Sequence, residues 1–214
     1  MDLYEALYTT RAMRRVEPDP IPDDVVRRIL DAAIRSPSGG NTQNWRFVAV
    51  SDRDTLACLG ELYSEAWEIL QSTVYAGRRA AAEAAGDEQM KRVMSSSQWL
   101  GEHFGEVPLV VLAYHRNDPS GASIYPAVWS LILAARGQGV GATLTTILGM
   151  FRQAEVADLL GVPLEKGWSN AAAVPLGYPR GRWGVAKRQP VQEVVYVDRW
   201  ANPPPWTVDE PLWP

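Results

Sequence analysis

Apolar residues recur at helical spacing in several parts of the chain. After Pro22, apolar side chains follow at every third or fourth position as far as Arg35, and Pro37 then ends the pattern, so we predict a helix between them. The segment 124–135 is apolar on nearly every side, which predicts a helix in the core of the fold. Further helices are predicted near the start of the chain, where Asp2 and Glu5 resemble a capping box, and at residues 56–67, 87–100 and 153–160.

Short runs of β-branched and aliphatic residues predict strands between these helices. The run Pro108–Tyr114 has the continuous apolar character of a strand buried on both faces, and we expect it and Trp45–Val50 to be central in a sheet. Further strands are predicted at Val140–Ile147, Ala171–Tyr178 and the alternating segment Val191–Val197. For residues 76–86 the pattern fits either a continued helix or a mobile connection.

Composition narrows the class of protein. The chain has 214 residues, of which 46% are hydrophobic and 21% charged, and this favours a single globular domain over residues 1–214. Residues 190–214 are expected to form a C-terminal arm, because their prolines exclude a central strand and their tryptophans do not suit a solvated linker. The net charge of −4 argues against general nucleic-acid binding.

The N-terminus and the cysteine content shape two further expectations about the class of protein. The N-terminus lacks the basic start and apolar run of a secretion signal, and no segment has the length of a membrane span, so we expect a cytoplasmic protein that binds no membrane. The single cysteine, Cys58, excludes an intramolecular disulfide and a cysteine-cluster metal site. We expect the leucines around Cys58 to bury its thiol.

Two segments carry candidate chemistry. The first is the basic cluster 11–15, whose arginines alone would be a solvated turn, but a planar guanidinium can also make two charge-assisted hydrogen bonds to a phosphate. The second is Ser36–Trp45, where small residues let the backbone approach a flat ligand. A helix-ending turn explains its proline and glycines, whereas the amides of Asn41, Gln43 and Asn44 are costly to bury unless they are used. FMN, with its phosphate and its planar ring edged by carbonyls and nitrogens, fits both segments best.

At this point the chain resembles the nitroreductase-like family of FMN-dependent oxidoreductases. Residues 10–14, Thr-Arg-Ala-Met-Arg, correspond to the family's Arg-Arg-Ser-x-Arg, and residues 36–45 correspond to Ala-Pro-Ser-x-x-Asn-x-Gln-Pro-Trp. Residues 139–146 are similar to the family's Gly-x-Gly and Thr-rich strand, and residues 187–195 to its ending. The resemblance covers nearly the whole chain, and the chain departs from the family pattern at Thr10, Ala12 and Asn44.

The resemblance implies a set of cofactor-binding residues. According to the resemblance, the arginines hold the FMN phosphate or ribityl chain, the segment 37–43 lines the ring system, and the Thr-rich strand approaches the reactive flavin N5. The set comprises Arg11, Ala12, Met13, Arg14, Pro37, Ser38, Gly39, Asn41, Gln43, Leu144, Thr145, Thr146 and Arg188. No catalytic side chain and no metal ion are implied, because the cofactor performs the redox step.

The resemblance also implies a fold, a partner and an activity. The fold is α+β, with a mostly antiparallel central sheet wrapped by helices, and two copies form a homodimer that exchanges C-terminal arms and binds FMN at the interface. The activity is ping-pong hydride transfer from NADH or NADPH, through flavin N5, to a small planar acceptor such as a nitroaromatic or a quinone.

Other functions stay open at this point. A deazaflavin donor, an enone reductase or dehydrogenase reaction, or a flavin-binding protein without turnover would use the same motifs, and an interaction module without a cofactor is a further alternative. Residues 137–141 superficially match a dinucleotide fingerprint, but a helix precedes them and a strand follows, which is the reverse of the required order. His103 and His115 have neither metal-ligand spacing nor a nucleophile elbow nearby.

Overall fold

The computed structural model describes residues 1–212, with the side chains of residues 79, 80 and 83 excepted. The predicted tail residues Trp213 and Pro214 lie outside the described part. The α-helices of the described chain are α1 (Leu3–Thr9), α2 (Asp23–Ala33), α3 (Arg53–Leu70), α4 (Ala76–Ala84), α5 (Glu88–His103), α6 (Ile124–Gly137), α7 (Ile147–Phe151) and α8 (Gln153–Leu160). A π-helical turn, Gln71–Tyr75, continues α3 into α4, so the helical alternative for residues 76–86 holds as far as Ala84.

A four-stranded antiparallel sheet forms the centre of the fold. Its strands are β1 (Trp45–Val50), β2 (Leu109–His115), β3 (Gly141–Ala142) and β4 (Ser169–Gly177). They lie in the order β1-β2-β4-β3, so the predicted α+β class with an antiparallel sheet is confirmed. The prediction that both of the first two strands are central is wrong for β1, which lies at an edge.

Each face of the sheet supports its own hydrophobic core, because side chains alternate between the two faces along a strand. On one face, Val111 and Ala113 of β2 pack in a cluster with residues of α2 and α6. On the other face, Val110 and Leu112 pack in a cluster with residues of α3, α5, α7 and α8. We call these the α6 face and the α3 face. Helix α6 is buried along most of its length, as its apolar sequence predicts.

Two further sequence predictions are wrong. The predicted strand Val140–Ile147 is reduced to Gly141–Ala142 and an isolated bridge at Thr145, because the chain turns into α7 at Ile147. The thiol of Cys58 is exposed, since α3 directs Leu56 and Leu59 into the core and Cys58 away from it.

The described residues divide into two compact units, Ala12–Arg182 and the pair of segments 1–11 and 183–212. The first unit contains the sheet and helices α2–α8. The second contains α1, whose N-cap Asp2 accepts a hydrogen bond from the backbone N of Glu5, and a cavity of about 580 Å³ lined by residues 7–8, 185–191 and 208–212. The single domain with an arm at 190–214 stays a prediction.

The predicted strand Val191–Val197 in the second unit is wrong. It begins as a 3₁₀ turn, Val191–Glu193, and forms no strand within the described residues. An alternating pattern produces a strand only where a second strand can pair with it.

Candidate functional site

The loop between α2 and β1 has an unusual backbone. Gly40, Asn41 and Gln43 have φ angles of 58°, 53° and 49°, in the left-handed region where side chains other than glycine and asparagine are disfavoured. The Ser38 hydroxyl accepts a hydrogen bond from the Gln43 backbone N at 3.1 Å, which closes the loop on itself. Strained backbone of this kind is characteristic of sites at which a ligand binds.

The N-terminal part of α6 holds this loop in place. The Gly39 backbone N donates to the Ser123 hydroxyl at 3.2 Å, and the Ser36 hydroxyl donates to the Pro126 carbonyl at 3.1 Å. A cavity of about 650 Å³ adjoins the loop, and its walls are built from residues 37–39, 42, 44–45, 117–118 and 122–124.

The amides of the loop face outward. Asn41 and Gln43 are exposed, and the Gln43 amide donates to the Asn41 side-chain oxygen at 3.1 Å. Neither residue lines the adjoining cavity. Their polar groups therefore meet solvent in the single chain, so the burial cost that made them notable in the sequence does not arise within one copy.

The Thr-rich segment before α7 lies on the α3 face and is fixed by β4. Thr145 and Ala173 exchange two backbone hydrogen bonds, of 3.0 and 2.8 Å. The Tyr63 hydroxyl donates to the Thr145 hydroxyl oxygen at 3.2 Å, and the Tyr63 ring stacks on Phe104 with centroids 4.0 Å apart. Because Thr145 accepts from Tyr63, its own hydroxyl hydrogen can still donate to another group.

Arg14 reaches the same region from the start of the larger unit. Its guanidinium is half-buried and donates to the Ser96 hydroxyl at 3.1 Å. Among the residues that the structure describes, it has no carboxylate partner. Burial lowers the pKa of Arg14, although the neighbouring Tyr63 and Tyr75 oppose this shift. The site therefore contains a positive charge that an anion would stabilise.

Arg14 and the Thr-rich segment line one cavity of about 230 Å³. The structure thus brings together Arg14, Leu144, Thr145 and Thr146 of the sequence-predicted set. Thr143 also lines this cavity, and its hydroxyl is buried without a hydrogen-bond partner among the described residues. Pro37, Ser38 and Gly39 line the other cavity, so one chain does not join the two halves of the predicted site.

An aromatic wall closes the Arg14 cavity, and sequence reasoning missed it. Trp67 donates through its indole N to Gln98 at 3.0 Å, lies against Gly101, and faces Tyr75 at a centroid distance of 5.7 Å. Burial raises the pKa of Tyr63, so its hydroxyl stays a neutral donor. In the sequence Tyr63 and Trp67 have the helical spacing of core residues, so spacing alone does not distinguish them from the core. In the structure Tyr75 ends a π-helical turn, a feature that is frequent at functional sites, and it lines the cavity.

The remaining predicted residues occupy different places. The Met13 backbone N donates to the Ala142 carbonyl at 3.0 Å, which anchors the basic cluster to β3, and Ala12 beside it is exposed. Arg11 and Arg188 belong to the smaller unit and are exposed, with the Arg188 guanidinium donating to the Lys187 carbonyl. Their part in a phosphate site stays a prediction.

Comparison with known proteins adds to this geometry. The sequence model of the nitroreductase family matches residues 7–178. The chain is 27% identical to NADH dehydrogenase of Thermus thermophilus, over 91% of this chain and 95% of that protein. It is 26% identical to iodotyrosine deiodinase 1 of Rattus norvegicus, over 83% of this chain and 62% of that protein, so it spans about three fifths of the deiodinase.

Solved structures share the fold. An oxidized iodotyrosine deiodinase bound to FMN and 3-iodo-L-tyrosine superposes with a TM-score of 0.68 at 20% identity, covering 88% of this chain and 95% of that one. A nitroreductase with bound FMN from Desulfitobacterium hafniense superposes with a TM-score of 0.66 at 19% identity, covering 92% and 100%. Within the described residues, no helix combines the length and the apolar character that crossing a bilayer requires.

Proposed function

The chain belongs to the nitroreductase family, and on that premise we propose that it is an FMN-dependent oxidoreductase. It takes electrons from a reduced nicotinamide and passes them to a flat acceptor such as a nitroaromatic or a quinone. The family and the α+β fold predicted from the sequence are confirmed. The cofactor, the electron donor and the acceptor are what we propose.

The uncompensated charge of Arg14 carries the proposal. A half-buried guanidinium without a carboxylate partner lies beside the buried, unsatisfied hydroxyl of Thr143 in one cavity. Both groups suit the anionic, hydroxyl-rich tail of FMN, because a guanidinium binds phosphate well and the threonine can donate to a polar oxygen. The residues present therefore fit the cofactor.

Volume supports a site that two copies share. The Arg14 cavity of about 230 Å³ is smaller than the pockets of about 300–1,000 Å³ that enclose drug-sized ligands. The loop amides of Asn41 and Gln43, which the family pattern assigns to the same cofactor, face outward on the single chain. We therefore propose a homodimer in which the loop of one copy completes the cavity of the other, with residues 190–214 as exchanged arms.

The residues of the cavity have separable tasks in this proposal. FMN, when bound, supplies a ring that accepts two electrons from one substrate and delivers them to the next. Arg14 binds the anionic tail, and Thr145 directs its free hydroxyl hydrogen into the cavity because Tyr63 occupies its oxygen. Trp67 and Tyr75 form an apolar wall that excludes water and gives a flat substrate a surface on which to stack.

Spectroscopy of the purified chain tests this function. We expect yellow protein, or colourless protein that takes up FMN in an equilibrium titration, and reduction of the bound flavin under anaerobic conditions by NADH or NADPH. Bleaching only by a reduced deazaflavin would move the donor to that class. Protein that binds FMN but is reduced by neither donor would be a flavin-binding protein without turnover, and protein that takes up no FMN would contradict the proposal.

A further inference from the structure

Two arginines outside the proposed cofactor cavity share one aromatic ring. The guanidinium carbons of Arg46 and Arg116 each lie 5.2 Å from the centre of the Trp168 ring. Neither residue lines the Arg14 cavity or the cavity beside the loop. We propose that these arginines form a second site, which binds a phosphate-type oxyanion.

The sheet brings the three side chains together. Arg46 in β1 is paired with Tyr114 in β2, and the ladder continues as the Arg116 backbone N donates to the Asn44 carbonyl at 3.0 Å. Because side chains alternate along a strand, Arg46, Tyr114 and Arg116 lie on the same face of the sheet. Trp168 directly precedes β4 and packs against the core of that face.

The charges at this place are not neutralised. Within the described residues, neither Arg46 nor Arg116 pairs with a carboxylate. Arg152 on the same face, in contrast, pairs with Glu65 at 2.9 Å. The Trp168 ring attracts each cation, but the two cations repel each other. An anion between them would attract both and offset that repulsion.

An unsatisfied polar atom lies at the same position. Arg116 Nε is buried and has no hydrogen-bond partner among the described residues. Buried polar atoms without a partner are uncommon in native proteins, and some of them mark the place where an ion binds. Arg116 Nε can only donate a hydrogen bond, so the partner it lacks is an acceptor.

Guanidinium groups suit a phosphate-type oxyanion as the ligand. Since both guanidinium carbons lie 5.2 Å from one ring centre, they are no more than about 10 Å apart, and Trp168 limits their freedom. Planar guanidiniums match the oxygens of phosphate with paired, charge-assisted hydrogen bonds. Arg46 is exposed and Arg116 is half-buried, so the anion would enter from solvent and be held at its inner side.

Calorimetric titration of the full-length protein tests the site. The probes are inorganic phosphate and pyrophosphate at low ionic strength, together with NADP⁺ and NAD⁺, a pair that differs by one phosphate. Binding of the free anions identifies a site for free phosphate, whereas binding that distinguishes NADP⁺ from NAD⁺ identifies a phosphate carried by a nucleotide. Because the contacts are ionic, added salt should weaken either kind of binding.

Substitutions assign the binding to these residues. We expect Arg46→Gln and Arg116→Gln each to weaken binding at least tenfold, whereas Arg27→Gln, which removes an exposed arginine from α2, should leave it unchanged. Should Arg116→Gln fail to fold, the exposed Arg46 carries the test. Absence of binding by every probe, or equal binding by Arg46→Gln and the unsubstituted protein, would overturn the proposal.

Discussion

The two halves of the predicted cofactor site differ in how the chain supports them. On the α3 face, Arg14 and Tyr63 are fixed by side-chain contacts to α5 and to Phe104, and Thr145 is fixed by backbone hydrogen bonds to β4. On the α6 side, the loop 37–43 keeps its shape through left-handed backbone, and its amides face solvent. The first half is a packed cavity, whereas the second presents polar groups that a single copy leaves unused.

This difference indicates where the site would be completed. A packed wall with an unmet charge needs only a ligand, because its geometry is already set by its own chain. An exposed loop held in an unfavourable conformation gains from a second surface that uses its amides. If this difference in packing is real, equivalent substitutions in the two halves should have unequal effects.

The largest effect is expected from adding a methyl group to each half. A Cβ at Gly101 would lie 2.4 Å from the Trp67 ring, whereas a Cβ at Gly39 would meet nothing within 4 Å. We expect Gly101→Ala to lower the free energy of unfolding by about 3 kcal/mol, the upper part of the range for overpacking, and Gly39→Ala to change it by less than about 0.5 kcal/mol. Urea unfolding measures both, and equal effects would remove the distinction between the halves.

Charge removal is the next test. Arg14→Ala should weaken FMN binding by about 1.5–3 kcal/mol, since a charged hydrogen bond is lost, without reducing stability, because the half-buried charge disappears with it. The matched control is Arg15→Ala. Arg15 makes a similar bond to Ser95 at 2.9 Å but does not line the cavity. A fluorescence titration with FMN measures both variants, and an equal loss in both would show that general basicity, and not the cavity, binds the anion.

Alkaline pH should destabilise the α3 face through its buried tyrosines. Burial raises the pKa of Tyr114 to about 12 and raises the pKa of Tyr63, whereas residues 36–45 contain no titratable side chain. A raised pKa means that the folded state favours the neutral tyrosine. Its stabilisation is therefore complete below pH of about 10 and is lost as the pH rises through the folded-state pKa.

The measurement is urea unfolding at a series of alkaline pH values. Between pH 10 and 12 the chain should lose up to about 2 kcal/mol through Tyr114, and Tyr114→Phe should remove that part of the loss. Tyr4→Phe, which changes an exposed tyrosine in α1, is the control. A pH profile that Tyr114→Phe leaves unaltered would contradict the assignment.

Removal of one hydroxyl compares the two faces directly. Tyr63→Phe should cost about 1 kcal/mol, the usual net value of a hydrogen bond, and should shift the absorption of bound flavin because Thr145 is then free to reorient. Tyr125→Phe removes a hydroxyl that donates to the Ala171 carbonyl at 3.3 Å, and it should leave the flavin spectrum unchanged. Identical spectra for the two variants would argue against a positioning role for Tyr63.

The smallest expected effect concerns the loop backbone. Gln43→Gly should raise the free energy of unfolding by about 0.5–1 kcal/mol, because glycine adopts a φ of 49° without strain. Thr42→Gly, at a φ of −71°, should instead destabilise the protein slightly. Thermal unfolding of both variants is sufficient, and a destabilised Gln43→Gly variant would show that the loop is not strained.

Local patterns in the sequence predicted those parts of the fold that depend on neighbouring residues. The bounds of β1 and the extent of α2 follow from spacing and from Pro22 and Pro37, so the sequence identifies them well. The edge position of β1 and the loss of the strand after Val140 depend on which strands pair over long distances. One-dimensional patterns do not contain that information.

The candidate site likewise contains residues that the sequence predicted and residues that it did not. Arg14 and the Thr-rich segment were predicted from motifs, and the structure brings them into one cavity. Tyr63 and Trp67 were missed because a helical position that faces a cavity has the same spacing as one that faces the core. The Tyr63 hydroxyl bond to Thr145, across 82 positions, has no signature in the sequence.

Trp67 offers a built-in optical reporter. Its indole is fixed between the Gln98 side chain and the backbone at Gly101, so the ring keeps one orientation at the edge of the cavity. A yellow chromophore seated there would accept excitation energy from this ring, and tryptophan emission would dim as the site fills. Replacing Trp67 by Phe would then separate its signal from those of the other tryptophans, so that occupancy can be followed without any attached dye.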